Sequence, residues 1–305
     1  MRYSGDQIAR FLFLICAIQV VVIIIGVFLF LGLKAFNLFG EGGSLSEFLF
    51  TTNWDPGGAG DINGTPSFGA GGLILGSLII TLCSVLLASP LAFGMALFLT
   101  DISSVWASKL IRPLIEIFTG MPSVVIGFFG LIVIVPFLQR LVGTITHNHQ
   151  TAGYGWAAAI IVLIIMILPT ITSISIDALK AVPDNVREAS LALGATKWQM
   201  MITTVFPAAK AGLGTAVILG MARAIGETLA VSLVLYGHQI PVFTKPFFTI
   251  FFQPNINITQ YIAIDFGESF GAGRDAYFTL AFLLLLISFF FVSISRFLSN
   301  KRIYT

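Results

Sequence analysis

The sequence predicts an all-α fold, a polytopic transmembrane bundle of six helices, and three observations support this prediction. Hydrophobic residues make up 57% of the 305 residues and charged residues 10%, whereas soluble domains carry about 25% charged residues. Six stretches of about 20 residues are almost free of charge, and each is long enough for a helix to cross a bilayer. The formal net charge is +2, so the overall charge does not indicate a nucleic-acid partner.

The six predicted spans follow one another with two long connections between them. Their ranges are 11–33, 73–99, 114–138, 156–176, 208–236 and 276–297. The first run has 23 uncharged residues, and because a signal-peptide core has about 7 to 15, we interpret it as an uncleaved helix. Glu116, Arg223 and Glu227 carry charge inside the spans, and Lys210 and Arg296 lie within three residues of a span end.

The spans divide the chain into an N-terminal part and a core. The division is 1–34 for a cytoplasmic N-terminal segment with the first transmembrane helix, 35–72 for an outer loop, and 73–305 for a five-helix core with a cytoplasmic loop 177–207 and an outer loop 237–275. Residues 241–254 are too short and too rich in proline to span a bilayer, so we expect them to lie in the interface or to re-enter between helices.

The distribution of basic residues predicts the orientation. When the connections are assigned alternately to two sides, eleven Lys and Arg residues lie on the side of both termini and four on the other. The eleven are Arg2, Arg10, Lys109, Arg112, Lys180, Arg187, Lys197, Lys210, Arg296, Lys301 and Arg302, against Lys34, Arg140, Lys245 and Arg274. The positive-inside rule then places both termini in the cytoplasm.

The sequence gives little support for covalent catalysis. The nucleotide-binding pattern G-x-x-x-x-G-K-[ST] is absent, as are H-E-x-x-H and C-x-x-C, so any ATP hydrolysis must come from another chain. G-x-S-x-G occurs once, at residues 267–271, but it lies in a predicted loop and not between the strand and helix that a hydrolase requires. His147 and His149 are interpreted as solvated side chains of a polar loop and not as metal ligands. We therefore expect no catalytic residue, no metal and no cofactor bound by this chain.

The cytoplasmic loop after the fourth span predicts a helix, a sharp turn and a second helix. Asp184 follows a proline and is suited to cap the first helix, and Gly194 to supply the left-handed residue that ends it. Thr196 and Gln199 have the spacing of a capping box. Because so short a helix is marginal in water, we expect a docking element and not merely a solvated loop.

This loop resembles the EAA signature of permease subunits of ATP-binding-cassette importers. The match consists of Glu188-Ala189-Ser190, three residues, Gly194, and later Phe206-Pro207, with Ser190, Thr204 and Phe206 in place of the usual Ala, Ile and Leu. The resemblance implies a type I ABC importer permease-like fold and a coupling helix that docks on a separate ATPase. It also implies that Arg187, Glu188, Ala189 and Gly194 take part in ATPase coupling.

Three further stretches resemble the phosphate-importer permeases, and specifically those of the PstC type. They are residues 89–100, 116–127 and 220–228. The resemblance implies a phosphate translocation pathway that works by alternating access in the inner membrane of a prokaryote. The implied partners are a homologous PstA-type permease, two PstB-type ATPases that bind ATP and Mg, and an extracytoplasmic PstS-type phosphate-binding protein.

The charges in the fifth span are the candidate pathway residues. We expect Arg223 near the middle of the membrane and Glu227 one turn further along on the same helix face. Buried charges are costly in a bilayer, so both should face a pathway or pair with each other. The Arg223 guanidinium is suited to an oxyanion, and Ser123 and Thr228 complete the expected pathway. Gly120 and Pro122 should kink the third span and form a possible hinge.

Several alternatives remain open at this point. Arg223 and Glu227 could form an ion pair that only holds helices together. The same oxyanion argument allows a permease for sulfate or molybdate. A proton-coupled secondary transporter could use Arg223 and Glu227 as a relay without an ATPase. A membrane-embedded enzyme has little support from the motifs. Near the interface, Arg112 and Glu116 are expected to form an ion pair.

Overall fold

A computed structural model describes residues 2–40, 43–58, 64–146, 153–235 and 250–299. In these ranges five helices are long and apolar enough to cross a membrane, and a sixth span results if one bent pair of helices is counted. The all-α, polytopic prediction is confirmed. The five are Asp6–Gly40, Gly71–Ile102, Ser123–Thr144, Trp156–Lys180 and Gly271–Ile294, and the bent pair is Lys197–Ala208 with Lys210–Gly226.

The chain separates into two compact units, residues 1–70 with 265–285 and residues 71–264 with 286–305. The elements with bounds in the first part of the chain are α1 (Arg2–Gly40), α2 (Leu45–Phe50), β1 (Trp54–Asp55), β2 (Ser67–Phe68), α3 (Gly71–Leu97), α4 (Val105–Thr119), α5 (Ser123–Phe129), α6 (Val135–Thr146) and α7 (Trp156–Lys180). The later ones are α8 (Asp184–Ala192), α9 (Lys197–Gln199), α10 (Phe206–Ala208), α11 (Lys210–Gly226), α12 (Leu229–Ser232), α13 (Ile258–Asp265) and α14 (Gly271–Ser299).

In the first unit, α1 packs against the beginning of α14 through aromatic rings. Phe28 meets Phe282 edge to face with centroids 5.3 Å apart, and Phe30 meets Phe278 at 5.7 Å. Strands β1 and β2 form a short antiparallel pair, with Trp54 opposite Phe68. Helix α1 runs on to Gly40, so the segment predicted as an outer loop begins as helix and contains α2 and this hairpin.

In the second unit, α3, α7 and α11 form the centre of the bundle, and glycines allow α11 to lie close to α7. A Cβ at Gly220 would lie 2.5 Å from Ile171 Cγ1, and one at Gly212 would lie 2.5 Å from Ala178 Cβ. Ser84 on α3 donates to the Ile160 carbonyl of α7 at 3.4 Å. The bundle is therefore held by close backbone approach as well as by large side chains.

Two predicted spans differ from the structure. The third was predicted as one helix over 114–138, but α4 ends at Thr119 and a new helix begins at Ser123, so the apolar span is Ser123–Thr144. The fifth was predicted as one helix over 208–236, but the chain bends by 70° before Lys210, and α11 ends at Gly226. Both predictions were wrong because hydropathy does not detect a break inside an apolar run.

Two sequence predictions fall on residues outside the described ranges. His147 and His149 lie there, as do the first nine residues of the segment 241–254. The following part of the predicted outer loop packs into the second unit, where Ile256 and Ile258 are buried. The Ile258 amide donates to Ser77 Oγ on α3 at 3.0 Å.

Candidate translocation and coupling sites

Two helix breaks lie side by side in the second unit. One separates α4 from α5, and the other separates α11 from α12. Helices α5 and α12 touch closely, since a Cβ at Gly127 would lie 2.7 Å from the Cα of Ala230. Each break leaves helix-end N–H and C=O groups without a partner inside the helix, and these groups need other partners.

Arg223 supplies a hydrogen-bond donor to the end of α4. It lies in the last turn of α11, and its Nη1 donates to Thr170 Oγ1 at 3.0 Å and to the Thr119 carbonyl at 3.4 Å. Thr119 is the last residue of α4, where a cation is favourable because of the helix dipole. Within the described residues, no protein acceptor meets its Nε or Nη2, and the side chain is partly buried.

Glu227 is not one helical turn beyond Arg223 on a shared face, so that prediction was wrong. Helix α11 ends at Gly226, and Glu227 has extended backbone with φ −77° and ψ 120°. Its carboxylate lies near the Ser123 hydroxyl and near enough to Arg223 for an electrostatic interaction. Within the described part of the chain, the two do not form an ion pair with an N–O distance of 4.0 Å or less.

The structure brings three of the four predicted pathway residues together. Ser123 is the first residue of α5 and lies near Glu227, which in turn lies near Arg223. Thr228 follows Glu227 in the α11–α12 break, and its carbonyl accepts from the Ser232 amide at 2.9 Å. Its side chain is not among the groups that accept hydrogen bonds from Arg223 in the described part of the chain, so its pathway role remains a prediction.

Gly120 and Pro122 lie in the link between α4 and α5. The Gly120 amide donates to the Glu116 and Ile117 carbonyls, and Pro122 has extended backbone with φ −58° and ψ 133°. The expected kink is therefore a complete break of the helix. Its use as a hinge remains a prediction.

Sequence reasoning missed Thr170, which holds the Arg223 guanidinium. It follows Pro169 inside α7. A proline followed by a residue with a side-chain hydroxyl also occurs at Pro122-Ser123. Proline frees a backbone carbonyl, and a neighbouring hydroxyl or cation is then needed to satisfy polar groups in the membrane. The pairing of Pro169 with Thr170 was thus a usable signal.

The coupling segment matches its predicted local structure closely. Gly194 has φ +85° after the end of α8, and Thr196 and Gln199 form a complete capping box at α9. The predicted cap at Asp184 was wrong, because the N-cap is Pro183 and Asp184 is the first helical residue. Its carboxylate still favours the helix through the positive end of the dipole.

The predicted coupling residues lie on two different faces of α8. Glu188 and Ala189 are exposed, and so is Gly194 in the turn. Arg187 instead faces the bundle, where it pairs with Asp101 and donates to the Leu179 carbonyl at 2.7 Å. A partner that docks on the exposed face would therefore meet Glu188 and Ala189 but not the Arg187 guanidinium.

A cavity of about 560 Å³ lies beside this segment. Its lining is apolar and consists of Ala178, Ala181, Val182, Pro183, Val186, Ala208, Ala209 and Gly212. An anion that entered this apolar cavity would lose its hydration shell without gaining hydrogen bonds in return. Among the described residues, no group of three His, Cys, Asp or Glu side chains is placed to hold a metal ion.

This geometry is that of a membrane-embedded transport subunit, and the short helix α8 between two of its spans has an exposed face. Residues 88–304 match the family described as "Binding-protein-dependent transport system inner membrane component". The chain belongs to this family. It is a multi-pass permease subunit of an ABC importer, and in this family the ATPase is a separate subunit.

Curated relatives match over almost the whole chain. A probable ABC transporter permease protein, YqgH of Bacillus subtilis (strain 168), is 38% identical over 306 residues, which cover 99% of this chain and 93% of the relative. The phosphate transport system permease protein PstC of Pasteurella multocida (strain Pm70) is 30% identical over 310 residues, covering 97% and 90%. The predicted resemblance to the PstC-type permeases is confirmed.

Solved structures show the same fold. The chain aligns with a permease chain of the MetNI methionine ABC transporter, solved in inward-facing conformations, with a TM-score of 0.57 and 19% identity. The alignment covers 75% of this chain and 93% of that one. At this identity the likeness establishes the architecture of an ABC importer permease and nothing about the substrate.

Proposed function

We propose that this chain is the transmembrane subunit of an ATP-driven phosphate importer and forms its translocation pathway by alternating access. The observation that carries the proposal is the partly buried Arg223, whose guanidinium joins the broken α4 end to α7 and keeps two nitrogens without a protein acceptor in the described part of the chain. The similarity to PstC permeases supports phosphate as the substrate.

Arg223 offers the chemistry that a phosphate ion needs in a membrane. Its guanidinium stays protonated and presents a planar fork of donors to two oxygens of a tetrahedral anion. The acceptors that hold it, a hydroxyl and a carbonyl, are uncharged. An arriving anion therefore does not have to displace a carboxylate from Arg223.

Glu227 acts in the opposite direction. Its carboxylate lies near Ser123 and near enough to Arg223 for an electrostatic interaction. An anion bound to Arg223 is thus repelled from one side, which weakens its binding and allows release. A transport site must bind its ion weakly enough to let it go.

The chain would work in a complex whose members follow from its family. We propose a homologous PstA-type permease, two PstB-type ATPases that bind ATP and Mg, and a PstS-type phosphate-binding protein. Glu188 and Ala189 on the exposed face of α8 would meet the ATPase. Both termini would lie in the cytoplasm, as the charge distribution predicts.

The test is uptake of labelled phosphate by the complex reconstituted in vesicles with candidate partners. Charge-assisted hydrogen bonds contribute about 1.5–3 kcal/mol, so R223A should lower ATP-driven uptake roughly 10- to 150-fold at equal protein level. R223K should be intermediate, because lysine keeps the charge but not the fork. R140A, which removes an exposed arginine of α6, is the matched control and should transport normally.

Three results would contradict the proposal. Full uptake by R223A removes the assigned role of the arginine. Equal competition by sulfate or molybdate favours a permease for another oxyanion. Transport by the chain without an ATPase favours a proton-coupled secondary transporter.

A further inference from the structure

Helix α8 is attached to the bundle by few contacts. None of its nine residues is fully buried, although Val186 packs against an apolar cluster beneath it. Ser190 accepts a hydrogen bond from Thr204 at 3.1 Å. A further attachment is the side chain of Arg187, which is only 15% exposed.

Arg187 joins three elements through one guanidinium. Nη1 pairs with Asp101, which is 7% exposed and lies in the π-helical turn Phe98–Ile102 that continues α3. Nη2 donates to the carbonyl of Leu179 near the end of α7 at 2.7 Å. Asp101 is itself held, because Thr100 Oγ1 donates to its Oδ2 at 2.7 Å.

The pair lies next to an apolar cluster formed by both helix ends and the segment after α9. The buried members closest in sequence to the pair are Leu97, Leu99, Leu179 and Val182. Replacing a buried ion pair by apolar residues of similar volume is often neutral for stability. Stability alone therefore gives little reason for a charged pair at this position. The fixed geometry that the ion pair imposes on the elements it joins is a better reason.

The Arg187 guanidinium is connected through α7 to the candidate pathway. Leu179 and Thr170 lie on the same helix, nine residues apart, which corresponds to about 13 Å along a rigid helix. Thr170 holds Arg223. A displacement of α8 that is transmitted to α7 through Arg187 would therefore also reach the group that holds Arg223.

We infer that the Arg187–Asp101 pair is the joint that transmits movement of the coupling helix to α3 and α7, and that Arg187 is a positioning residue and not an ATPase contact. This inference rests on the proposed function. It differs from the expectation drawn from the EAA resemblance, in which Arg187 belongs with Glu188 and Ala189 to the docking surface.

The test is the number of phosphate ions imported per ATP hydrolysed by the full reconstituted complex. The double variant D101L/R187M replaces the pair by apolar side chains and leaves no unpaired buried charge. We expect it to assemble with the ATPases as the wild type does. The number of phosphate ions imported per ATP should fall at least about 5-fold, which is the lower end of typical coupling between sites.

The matched control removes the other carboxylate near Arg187. Asp184 lies 3.9 Å from its Nε and is 92% exposed. D184N should leave import per ATP at the wild-type value, because an exposed pair of this kind contributes little. A loss in D184N as large as that in D101L/R187M would overturn the inference.

Two further outcomes decide the matter. Wild-type import per ATP in D101L/R187M means that the pair is merely structural, and loss of ATPase co-purification means that Arg187 is a docking contact; both overturn the inference. Should the double variant fail to accumulate, D101E gives the same decision, since it keeps the charge and displaces the carboxylate. Absence of ATP-driven phosphate uptake by the wild-type complex would instead contradict the proposed function.

Discussion

Arg223 is held by uncharged oxygens although a carboxylate lies nearby. Thr170 and the Thr119 carbonyl accept its hydrogen bonds, while Glu227 is turned towards Ser123. The guanidinium charge is therefore not neutralised by a carboxylate in direct contact and is available to an anion. At the scale of residues, the Thr170 hydroxyl is the shorter of the two contacts that orient Arg223, at 3.0 Å against 3.4 Å for the Thr119 carbonyl.

Thr170 is expected to position Arg223 for the anion. Valine has almost the same shape as threonine but no hydroxyl, and a hydrogen bond to a charged group contributes about 1.5–3 kcal/mol. T170V should therefore raise the phosphate concentration for half-maximal uptake about 10-fold or more. The measurement is uptake by reconstituted complex over a range of phosphate concentrations.

The control for this change is T215V on α11. The Thr215 hydroxyl donates only to the Ala211 carbonyl of its own helix, and the side chain is exposed. Its removal should leave the half-maximal concentration unchanged. An effect of T215V equal to that of T170V would show that the hydroxyl has no specific role at Arg223.

Two pairs at the same spacing show what local sequence can predict at this scale. Arg112 and Glu116 form the expected ion pair at 3.4 Å, and Arg112 also reaches Asp177 of α7 at 2.9 Å. Arg223 and Glu227 have the same spacing, but the helix ends between them. The spacing predicts contact only where the helix continues, and tertiary packing decides whether it does.

At the scale of elements, the close approach of α5 to α12 depends on a glycine. Helix α5 approaches α12 so closely that a Cβ at Gly127 would lie 2.8 Å from the Ala230 carbonyl oxygen. G127A should therefore separate the two helices, and overpacking of this kind costs about 1–3 kcal/mol. The measurement is the unfolding temperature of the purified chain in detergent, which should fall.

G94A is the matched control for this glycine. Gly94 lies inside α3 and a Cβ there would have no heavy atom within 4 Å. Alanine in a helix is favoured over glycine by about 0.5–1 kcal/mol, so the unfolding temperature should stay the same or rise. A fall equal to that of G127A would contradict the assigned close contact.

The elements that could be predicted are those whose signals are local. The end of α8 and the start of α9 depend on Gly194, Thr196 and Gln199, which act within a few residues of one another. The break at Thr119 has a partner 104 residues away in the sequence, since Arg223 donates to the Thr119 carbonyl, and the break after Gly226 has one 32 residues away, since Thr259 donates to the Glu227 carbonyl. A single sequence does not show such partners.

At the scale of the whole molecule, the fold class was the easiest feature to predict. The lengths of the apolar stretches are fixed by the thickness of a bilayer, and no detail of packing alters them. The orientation rests on the same kind of argument, since eleven basic residues lie on one predicted side and four on the other.

The predicted orientation is testable with single cysteines. Cys16 and Cys83 are first replaced by serine, and then T52C or L193C is introduced at an exposed position. In intact cells a membrane-impermeant thiol reagent should label T52C, and it should label L193C only after permeabilisation. The reverse pattern would place both termini outside and contradict the positive-inside argument.

The exposed face of the coupling segment carries a cost for a cell that makes this chain alone. Leu193 is 90% exposed and Trp198 is 63% exposed, and apolar groups of this size on water are what chaperones and proteases recognise. We expect surplus copies without their motor subunits to be degraded. Because of these two exposed side chains, the cell would then have to make all components of the complex in balanced amounts.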